Sequence, residues 1–469
     1  MKLFNKFIDK DLLSVGEGKN KLSVFSLALP IFFESIGVHL IGLVQSAMSA
    51  HYEGGFFVTV TAIPSTILSL FLNVIAMITT GMSIILSITL GRGQNSNCKK
   101  IIGNAFIVIC ILNVTLCLAG FFLSPQLLSL MGMKGKDYAE KIPYATTYLR
   151  WRFLLTIIFN VSPIFTSALR CYGYTKVGFI CSISSNIVNA GLTAVAMYAL
   201  KLNFTQMIYA LIIICAASSL VNLLLAVVLF FRKKIGIEIK PDGGLCKAMI
   251  KVGLPASVSA IAYSLSQTIT ARFCVDITED AYLAKTYISQ LVFFVYQLGY
   301  SIGQANSIMV GRICGMGDLD RVDKMHRQNL RIVLTLNISF SVLLAILSKY
   351  LVSALFAANA KILEYSYVVL WIDIAVEIGR GMNHLGQFGL NATGDTVYTT
   401  VVSIVSCWVC SVFMSYLFIK LGWDLYGIWC AFAIDELFRG ILYYVRWRKG
   451  GWRGRFTKEF ETIENATKQ

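Results

Sequence analysis

The chain has 469 residues, of which 56% are hydrophobic and only 14% are charged, and its mean hydropathy is +0.69. Soluble domains carry about 25% charged residues, so this composition argues against a soluble protein and indicates membrane-spanning segments. The net charge of +16 would suit a nucleic-acid-binding protein, but most of the 41 basic residues gather at both ends and in alternate predicted loops. That bias follows the positive-inside rule, predicts both termini in the cytoplasm and argues against nucleic acid as a partner.

Twelve apolar runs of about twenty residues recur along the chain, and each is long enough to cross a membrane as a helix. Backbone polar groups cannot stay unpaired in lipid, so each run is predicted as a helix rather than a strand. The predicted spans are 22–48, 57–89, 101–124, 143–169, 176–199, 207–231, 248–273, 282–311, 328–356, 364–389, 396–420 and 425–446. The predicted fold class is therefore an all-α polytopic membrane protein, without a removable signal peptide and located in the plasma (inner) membrane.

The two halves of the sequence repeat each other. LALPIFFESIGVHLIGLVQS (27–46) resembles VGLPASVSAIAYSLSQTITA (252–271), SIILSITLGRG (83–93) resembles SIMVGRICGMG (307–317), and ALRCYGYTK (168–176) resembles FGLNATGDT (388–396). The repeat predicts one duplicated six-helix unit. An even number of spans gives both copies the same orientation, so they form two pseudo-symmetric bundles with the substrate path between them. The predicted parts are a tail at 1–21, an N-lobe at 22–231, a basic linker at 232–247, a C-lobe at 248–446 and a tail at 447–469.

Neither the cysteines nor the glycine-rich turns predict a cofactor site. The twelve cysteines are scattered, and the C-x-x-C pair of Cys407 and Cys410 lies in an apolar span, which favours packing over disulfide, redox or metal chemistry. The turns Gly91–Gly93 and Gly315–Gly317 follow long spans, so they are predicted as helix stops rather than phosphate-binding loops. No metal, cofactor or catalytic residue is predicted.

Several segments resemble the multidrug and toxic compound extrusion (MATE) transporters. They are Pro30 followed by GLVQSAMS, the span ending in ITLGRG, YLRWR at 148–152, ALRCYGYTK followed by SSNIVNAG, and LNATGD near the end of the tenth span. The resemblance runs through all twelve spans and implies two six-helix bundles around a V-shaped cleft. It also implies a non-enzymatic antiporter of bulky, often cationic organic compounds against Na⁺ or H⁺, working as a monomer in contact with membrane lipid.

The same resemblance marks four polar positions in the first lobe. Many family members carry an acid where this chain has Gln45 and another where it has Thr193, whereas Asn186 and Asn189 are kept. Gln and Thr supply oxygen ligands but cannot exchange a proton, so the resemblance implies that cation coupling lies in the second lobe and favours H⁺ over Na⁺. In the seventh span, Tyr263 stands where some members have a carboxylate.

A charged side chain at the bilayer centre costs about 2.5–3.5 kcal/mol, so each one needs a partner or a water-filled cavity. Asp373 lies about 18 Å along its helix from the outer loop, close to the midplane. Asp373 and Asp435 have no evident partner within their own helix and are predicted, with Glu377 assisting, as the cation-coupling residues. Arg380 is spaced to pair with Glu377 along the helix.

The other embedded charges are predicted to form ion pairs or to line the cleft. Glu436 and Arg439 are spaced to pair along their helix and, with Glu377 and Arg380, to join spans ten and twelve. Glu34 is expected to pair with Arg150 or Arg152, or to face the cleft. His384 is interpreted as a polar residue of a wet funnel or as a proton relay. The predicted substrate contacts are Tyr263, Gln267 and Tyr296.

Three alternatives remain open at this point. A flippase for a lipid-linked sugar or another amphiphile would favour a cleft dominated by arginines facing pyrophosphate. A membrane-embedded transferase would need clustered acids for Mg²⁺, and the nearest cluster, Asp276 to Asp280, lacks the D-D-x-x-D spacing. A transporter-like sensor would bind its ligand without cation-driven flux.

Overall fold

The structure is a computed structural model that describes residues 11–15, 22–133, 138–200, 202–356 and 359–456, with only the backbone described at 46–47 and 49–58. Its regular structure is almost entirely helical, as predicted. Within the described ranges the only sheet is a short antiparallel pair, β1 (Ser14–Val15) with β2 (Leu22–Ser23). The residue Ser23 also caps the first helix by accepting a hydrogen bond from the amide of Ser26 at 3.1 Å.

Fourteen α-helices follow along the described chain. They are α1 (Val24–Gly91), α2 (Asn95–Phe122), α3 (Ser124–Leu130), α4 (Ile142–Phe159), α5 (Ser162–Cys171), α6 (Thr175–Ala194), α7 (Phe204–Arg232), α8 (Gly243–Ile277), α9 (Glu279–Gly315), α10 (Leu319–Leu355), α11 (Ala360–Ala392), α12 (Thr396–Ser406), α13 (Met414–Lys420) and α14 (Asp424–Arg448). Two π-helical segments, Val195–Ala199 and Cys407–Phe413, extend α6 and join α12 to α13.

Eight helical segments of the described chain are long and apolar enough to cross a membrane, and the pair α4 and α5, bent by 46°, would make a ninth. The first two predicted spans correspond to Val24–Gln45 and Thr59–Gly91, and both lie in α1, whose backbone is helical throughout. The remaining three predicted spans lie in α9, α11 and α14. These three helices are less apolar than the others because they carry charged and amide side chains.

The polar helices are shielded by their neighbours. The helix α11 packs most extensively against α14, α9 and α10. Its charged residues Asp373, Glu377 and Arg380 are all buried. A helix with this composition is tolerated in a membrane when its polar face lies inside a bundle, where partners replace water. The position of α11 therefore explains how an acid-bearing segment can be a membrane helix.

The described chain folds into two compact units. One contains the described residues up to Phe32, Ser87–Gly93 and the chain from Pro255 onward, and the other contains Phe33–Leu86 and Gln94–Leu254. The first unit has two hydrophobic core clusters, one around Tyr443 and Trp447 and one around Tyr365 and Trp429. The core of the second unit includes Tyr148, Phe153 and Met207.

The two glycine-rich turns end their helices as predicted. The helices α1 and α9 stop at Gly91 and Gly315, and Gly93 (φ +74°) and Gly317 (φ +85°) then adopt the left-handed conformation. The helix ends also contact each other inside the first unit. A Cβ on Gly315 would lie 2.2 Å from the carbonyl oxygen of Ile88, and a Cβ on Gly91 would lie 2.1 Å from that of Arg312. The two contacts are equivalent, because Ile88 and Gly91 of the first repeat correspond to Arg312 and Gly315 of the second. The pattern is like that of an isologous interface.

All twelve cysteines lie in the described ranges, and all are free. Cys407 and Cys410 are buried in the π-helical segment between α12 and α13.

Candidate functional site

A cavity of about 230 Å³ lies within the first unit, between side chains of α8, α9, α11 and α14. It is lined by Tyr263, Gln267, Ser289, Val292, Phe293, Tyr296, Asp373, Arg380, Trp429, Phe432, Asp435 and Glu436. All three predicted substrate contacts are in this lining, and so are two of the three predicted coupling acids. The structure thus brings together residues that are distant in the sequence, since Tyr263 and Glu436 are 173 positions apart.

Beside the cavity, five charged residues form a chain in which acids and bases alternate. Glu377 pairs with Arg380 on α11, and the Nε of Arg380 lies 3.5 Å from Oε1 of Glu436 on α14. The same Glu436 oxygen lies 3.2 Å from Nη2 of Arg439, whose Nη2 also lies 2.5 Å from Oδ2 of Asp435. This chain links α11 to α14, and both predicted pairs, Glu377 with Arg380 and Glu436 with Arg439, are confirmed.

One prediction about this chain is wrong. The sequence pattern predicts no partner for Asp435 in its own helix, yet Asp435 pairs with Arg439 one turn later, at i+4. The long guanidinium side chain reaches both Asp435 and Glu436, because i+3 and i+4 lie on the same helical face. Arg439 therefore serves two carboxylates, where the sequence suggested one.

Neutral side chains complete the hydrogen bonding of the three acids in the chain. Asn337 on α10 donates to Oε2 of Glu377 at 3.2 Å, Asn383 donates to Oε2 of Glu436 at 2.6 Å, and the hydroxyl of Ser406 donates to Oδ1 of Asp435 at 2.5 Å. These partners lie too far away in the sequence, or on other helices, to be predicted from helical spacing. For Asn337, a sequence signal existed, because a buried amide in an otherwise apolar span requires a hydrogen-bond partner.

Asp373 differs from the other acids of the site. It is 2% exposed, lines the cavity and accepts a hydrogen bond at 3.0 Å from the indole N–H of Trp429. Among the described residues, no basic side chain lies within ion-pair distance of it. In the cluster as a whole, four carboxylates, Asp373, Glu377, Asp435 and Glu436, face two guanidinium groups, so two negative charges are unmatched when all are ionised. The role of Trp429 could not be predicted from the sequence. Tryptophans of membrane proteins are most often interfacial, so this one is not expected to donate to a buried acid.

His384, which the sequence predicts as a polar residue of a wet funnel or as a proton relay, is buried on α11 one turn beyond Arg380. Its ring meets those of Tyr296 and Tyr300 edge to face, with centroids 4.9 Å and 5.5 Å away. Its Nε2 has no hydrogen-bond partner in the described part of the chain. The ring thus lies against the aromatic side chains of α9, and one of these, Tyr296, lines the cavity.

In the second unit, Glu34 has a different partner from the predicted one. Its carboxylate pairs with Arg170 at 2.7 Å and accepts a hydrogen bond from Ser182 at 2.6 Å. Arg152 instead contacts Tyr148 and Cys215, and the guanidinium of Arg150 lies 5.5 Å from the ring of Phe121. The predicted span 143–169 corresponds to α4 and α5, between which the chain bends by 46°, and Arg170 near the end of α5 pairs with Glu34.

The four predicted polar positions of the first repeat lie in the second unit. The amide of Gln45 donates to Oδ1 of Asn189 at 2.5 Å, and Asn189 donates to the hydroxyl of Ser218 at 2.9 Å. Asn186 donates to the carbonyl of the residue four positions earlier at 2.8 Å. The buried hydroxyl of Thr193 has no partner among the described residues. The structure therefore joins Gln45 to Asn189 but does not pair Asn186 or Thr193 with them.

Many apolar helical spans around an acid-lined cavity are typical of polytopic membrane transporters. The MatE family model matches residues 30–195 and 255–417, which is more than half of the chain. The chain therefore belongs to the MATE family. The fold and family are those of a transporter rather than an enzyme.

Two proteins of Bacillus subtilis and a solved transporter structure resemble the chain along most of their length. The chain is 29% identical over 442 residues to the uncharacterized transporter YisQ of Bacillus subtilis, covering 92% of this chain and 94% of YisQ. It is 24% identical to YoeA of the same organism, a probable multidrug resistance protein, covering 79% and 81%. A solved outward-facing multidrug resistance MATE transporter superposes with a TM-score of 0.82 at 16% identity, covering 93% and 96%. This likeness confirms the predicted fold class.

Proposed function

We propose that this protein is a secondary active exporter that exchanges bulky, often cationic organic compounds for H⁺ or Na⁺ by alternating access. The name of YoeA supports multidrug-type export, and the likeness to it covers most of both chains. In this proposal the protein is a monomer in the plasma (inner) membrane, with both termini in the cytoplasm. Its lobes are 22–231 and 248–446, and the remaining parts are the tails and the basic linker.

The observation that supports the proposal most directly is the environment of the Asp373 side chain. It is a buried carboxylate that faces a cavity, and a neutral indole is its hydrogen-bond donor. A buried carboxylate without an ion-pair partner among the described residues is costly, so a cation or a proton that neutralises it gains more free energy here than at a carboxylate already paired with arginine. Asp373 is therefore the coupling residue, with Glu377 and Asp435 assisting through the charged chain.

The aromatic lining suits an organic cation. Tyr263, Phe293, Tyr296, Trp429 and Phe432 surround the acids, and ring faces attract positive charge. Substrate and coupling cation would compete for the same negative charge, so binding of one releases the other. This competition is what an antiporter requires.

The coupling ion proposed here is H⁺. In the first repeat Gln45 and Thr193 stand where an exchangeable acid would be expected for this family, and Gln45 is hydrogen-bonded to Asn189. Cation exchange would then depend on the carboxylates around the cavity of the first unit. A flippase for a lipid-linked sugar is less favoured, because acids outnumber arginines around this cavity.

The test is Asp373→Asn, which keeps the shape of the side chain and removes its charge. Cells that lack their own exporters would express either form and be loaded with a fluorescent organic cation. We expect Asp373→Asn to lose export while reaching the same level in the membrane. The matched control is Asp276→Asn, because Asp276 forms an exposed pair with Arg272 outside the cavity and should export normally.

Flux measurements then separate the two ions. Purified protein in liposomes would be given a pH gradient or a Na⁺ gradient, one at a time, and uptake of the organic cation recorded. Uptake driven by the pH gradient alone is expected. Normal export by Asp373→Asn would refute the role of this carboxylate, and uptake driven only by Na⁺ would refute the choice of ion.

A further inference from the structure

The segment between α7 and α8, residues 233–242, is held against the start of α2 by hydrogen bonds. The backbone N–H of Glu238 donates to the carbonyl of Lys99 at 3.1 Å. The fully buried Asn104 donates to the carbonyl of Lys240 at 2.9 Å and accepts at 2.7 Å from the backbone N–H two residues further on. Because Asn104 uses both ends of its amide, the segment is fixed on α2 and does not behave as a loose linker.

Two glycines allow this close approach. A Cβ on Gly103 would lie 1.9 Å from the carbonyl oxygen of Glu238, so the two backbones touch where a side chain would stand. A Cβ on Gly236 would lie 2.8 Å from Cε of Lys99, which shows that this lysine lies along the segment. The backbone contact at Gly103 cannot be relieved by moving a flexible side chain, so it sets the position of the segment.

Three lysines surround one carboxylate at this contact. The Nζ of Lys240 pairs with Glu238 at 3.0 Å, and this hydrogen bond, together with the charges of Lys240, Lys100 and Lys99, lowers the pKa of Glu238. Three positive charges and one negative charge leave two positive charges unmatched within the cluster. The Lys240 side chain is 76% exposed, and Ile239 beside it is 58% exposed.

We propose that this cluster, the basic platform (Lys99, Lys100, Ile239 and Lys240), binds the headgroup phosphate of an anionic phospholipid. Lys99 and Lys100 lie in the first turns of α2, a segment apolar enough to span the membrane, which puts them at headgroup depth, and the segment that carries Lys240 is held against them. The exposed Ile239 offers an apolar contact that a lipid can use. Two unmatched positive charges complement an anionic headgroup.

The positive-inside rule accounts for how many lysines this region has, but not for their fixed arrangement. Lysines in a mobile loop would satisfy the positive-inside rule equally well, because the rule depends on charge alone. Here a buried amide and a glycine backbone contact hold the lysines around a common point. This fixed arrangement distinguishes a headgroup site from a diffuse positive surface, and it does not depend on which compound the protein exports.

The test uses purified full-length protein in neutral detergent with two short-chain probes, dioctanoyl-phosphatidylglycerol and dioctanoyl-phosphatidylcholine. Binding is followed by native mass spectrometry, and tighter binding of the anionic probe is expected. The double variant Lys99→Gln/Lys240→Gln should weaken binding of that probe by about fivefold per lysine removed. The matched control Lys176→Gln/Lys247→Gln removes the same charge from two exposed lysines of the same unit and should bind as the wild type does.

A second variant keeps every charge. Gly103→Ala displaces the segment from α2, so it should also lose the preference for the anionic probe, provided that thermal unfolding shows a folded protein. Equal weakening by both double variants would show diffuse electrostatic binding and overturn the proposal. A third outcome is that glycerol 3-phosphate displaces the anionic probe as strongly as added unlabelled lipid does. That result would identify the ligand as a free phosphate and would also overturn the proposal.

Discussion

The hydrogen bond from Trp429 to Asp373 predicts a measurable change in coupling when the indole N–H is removed. Both residues are buried and line the cavity, and the donor–acceptor distance is 3.0 Å. Trp429→Phe keeps an aromatic ring at this position but deletes the donor. A neutral donor stabilises the ionised carboxylate more than the protonated one, so its removal favours protonation.

The size of the effect follows from comparing two states of the same hydrogen bond, one to the ionised carboxylate and one to the protonated carboxyl group. A hydrogen bond to a charged acceptor contributes about 1.5–3 kcal/mol, and one to a neutral acceptor about 0.5–1.5 kcal/mol. The difference, about 1 kcal/mol, corresponds to about 0.7 pH unit. In an H⁺-coupled exporter, proton binding limits transport at high pH, so the pH at which transport falls to half should rise by about that amount in Trp429→Phe.

The assay is pH-dependent uptake of a fluorescent organic cation into proteoliposomes, with maximal rate and pH midpoint fitted separately. The matched control is Trp423→Phe, because Trp423 is 48% exposed and stacks on Phe418 away from the cavity. Its midpoint should not move. A lower maximal rate with an unchanged midpoint in Trp429→Phe would mean that the indole only packs, and would refute the reasoning.

Two further predictions concern stability, measured as thermal unfolding in detergent. Gly315→Ala places a Cβ 2.2 Å from a backbone carbonyl and should cost about 1–3 kcal/mol, whereas Gly191→Ala, with open space around it, should cost nothing. Glu34→Gln leaves Arg170 without its carboxylate and should cost about 2 kcal/mol, less than a fully buried pair because the Arg170 side chain is 23% exposed. Arg150→Gln, which would be as harmful if Arg150 were the partner of Glu34, should change stability less.

The general architecture could be predicted because apolar length and repetition are properties of the sequence itself. The helix ends at Gly91 and Gly315 followed from glycines at equivalent places in the repeats. The first two spans could be predicted from composition, but the continuous backbone helix that joins them could not, because composition does not show where a helix continues between two apolar runs. The bend between α4 and α5 was also missed, although Pro163 stands at the start of α5, where it cannot donate a backbone hydrogen bond to α4.

The spacing of residues along a helix predicts only those contacts of the candidate site that lie within one helix. Pairs such as Glu377 with Arg380 lie three residues apart and follow from the geometry of one helix. The bonds from Trp429 to Asp373 and from Arg170 to Glu34 join residues 56 and 136 positions apart. Such partners depend on which helices become neighbours and on how each is rotated about its axis, and a single sequence contains neither.

The distribution of partners around the cavity suggests how stability and coupling are separated. The chain from Glu377 to Asp435 gives each of its acids an arginine and a neutral donor, so these charges hold α11 and α14 together in a defined register. A group that must bind and release a cation cannot also be permanently matched, because an arginine would compete with the cation. Within the described part of the chain, Asp373 has the neutral donor but no arginine at ion-pair distance. Assembly of the two helices therefore does not require its charge, and that charge remains available for exchange.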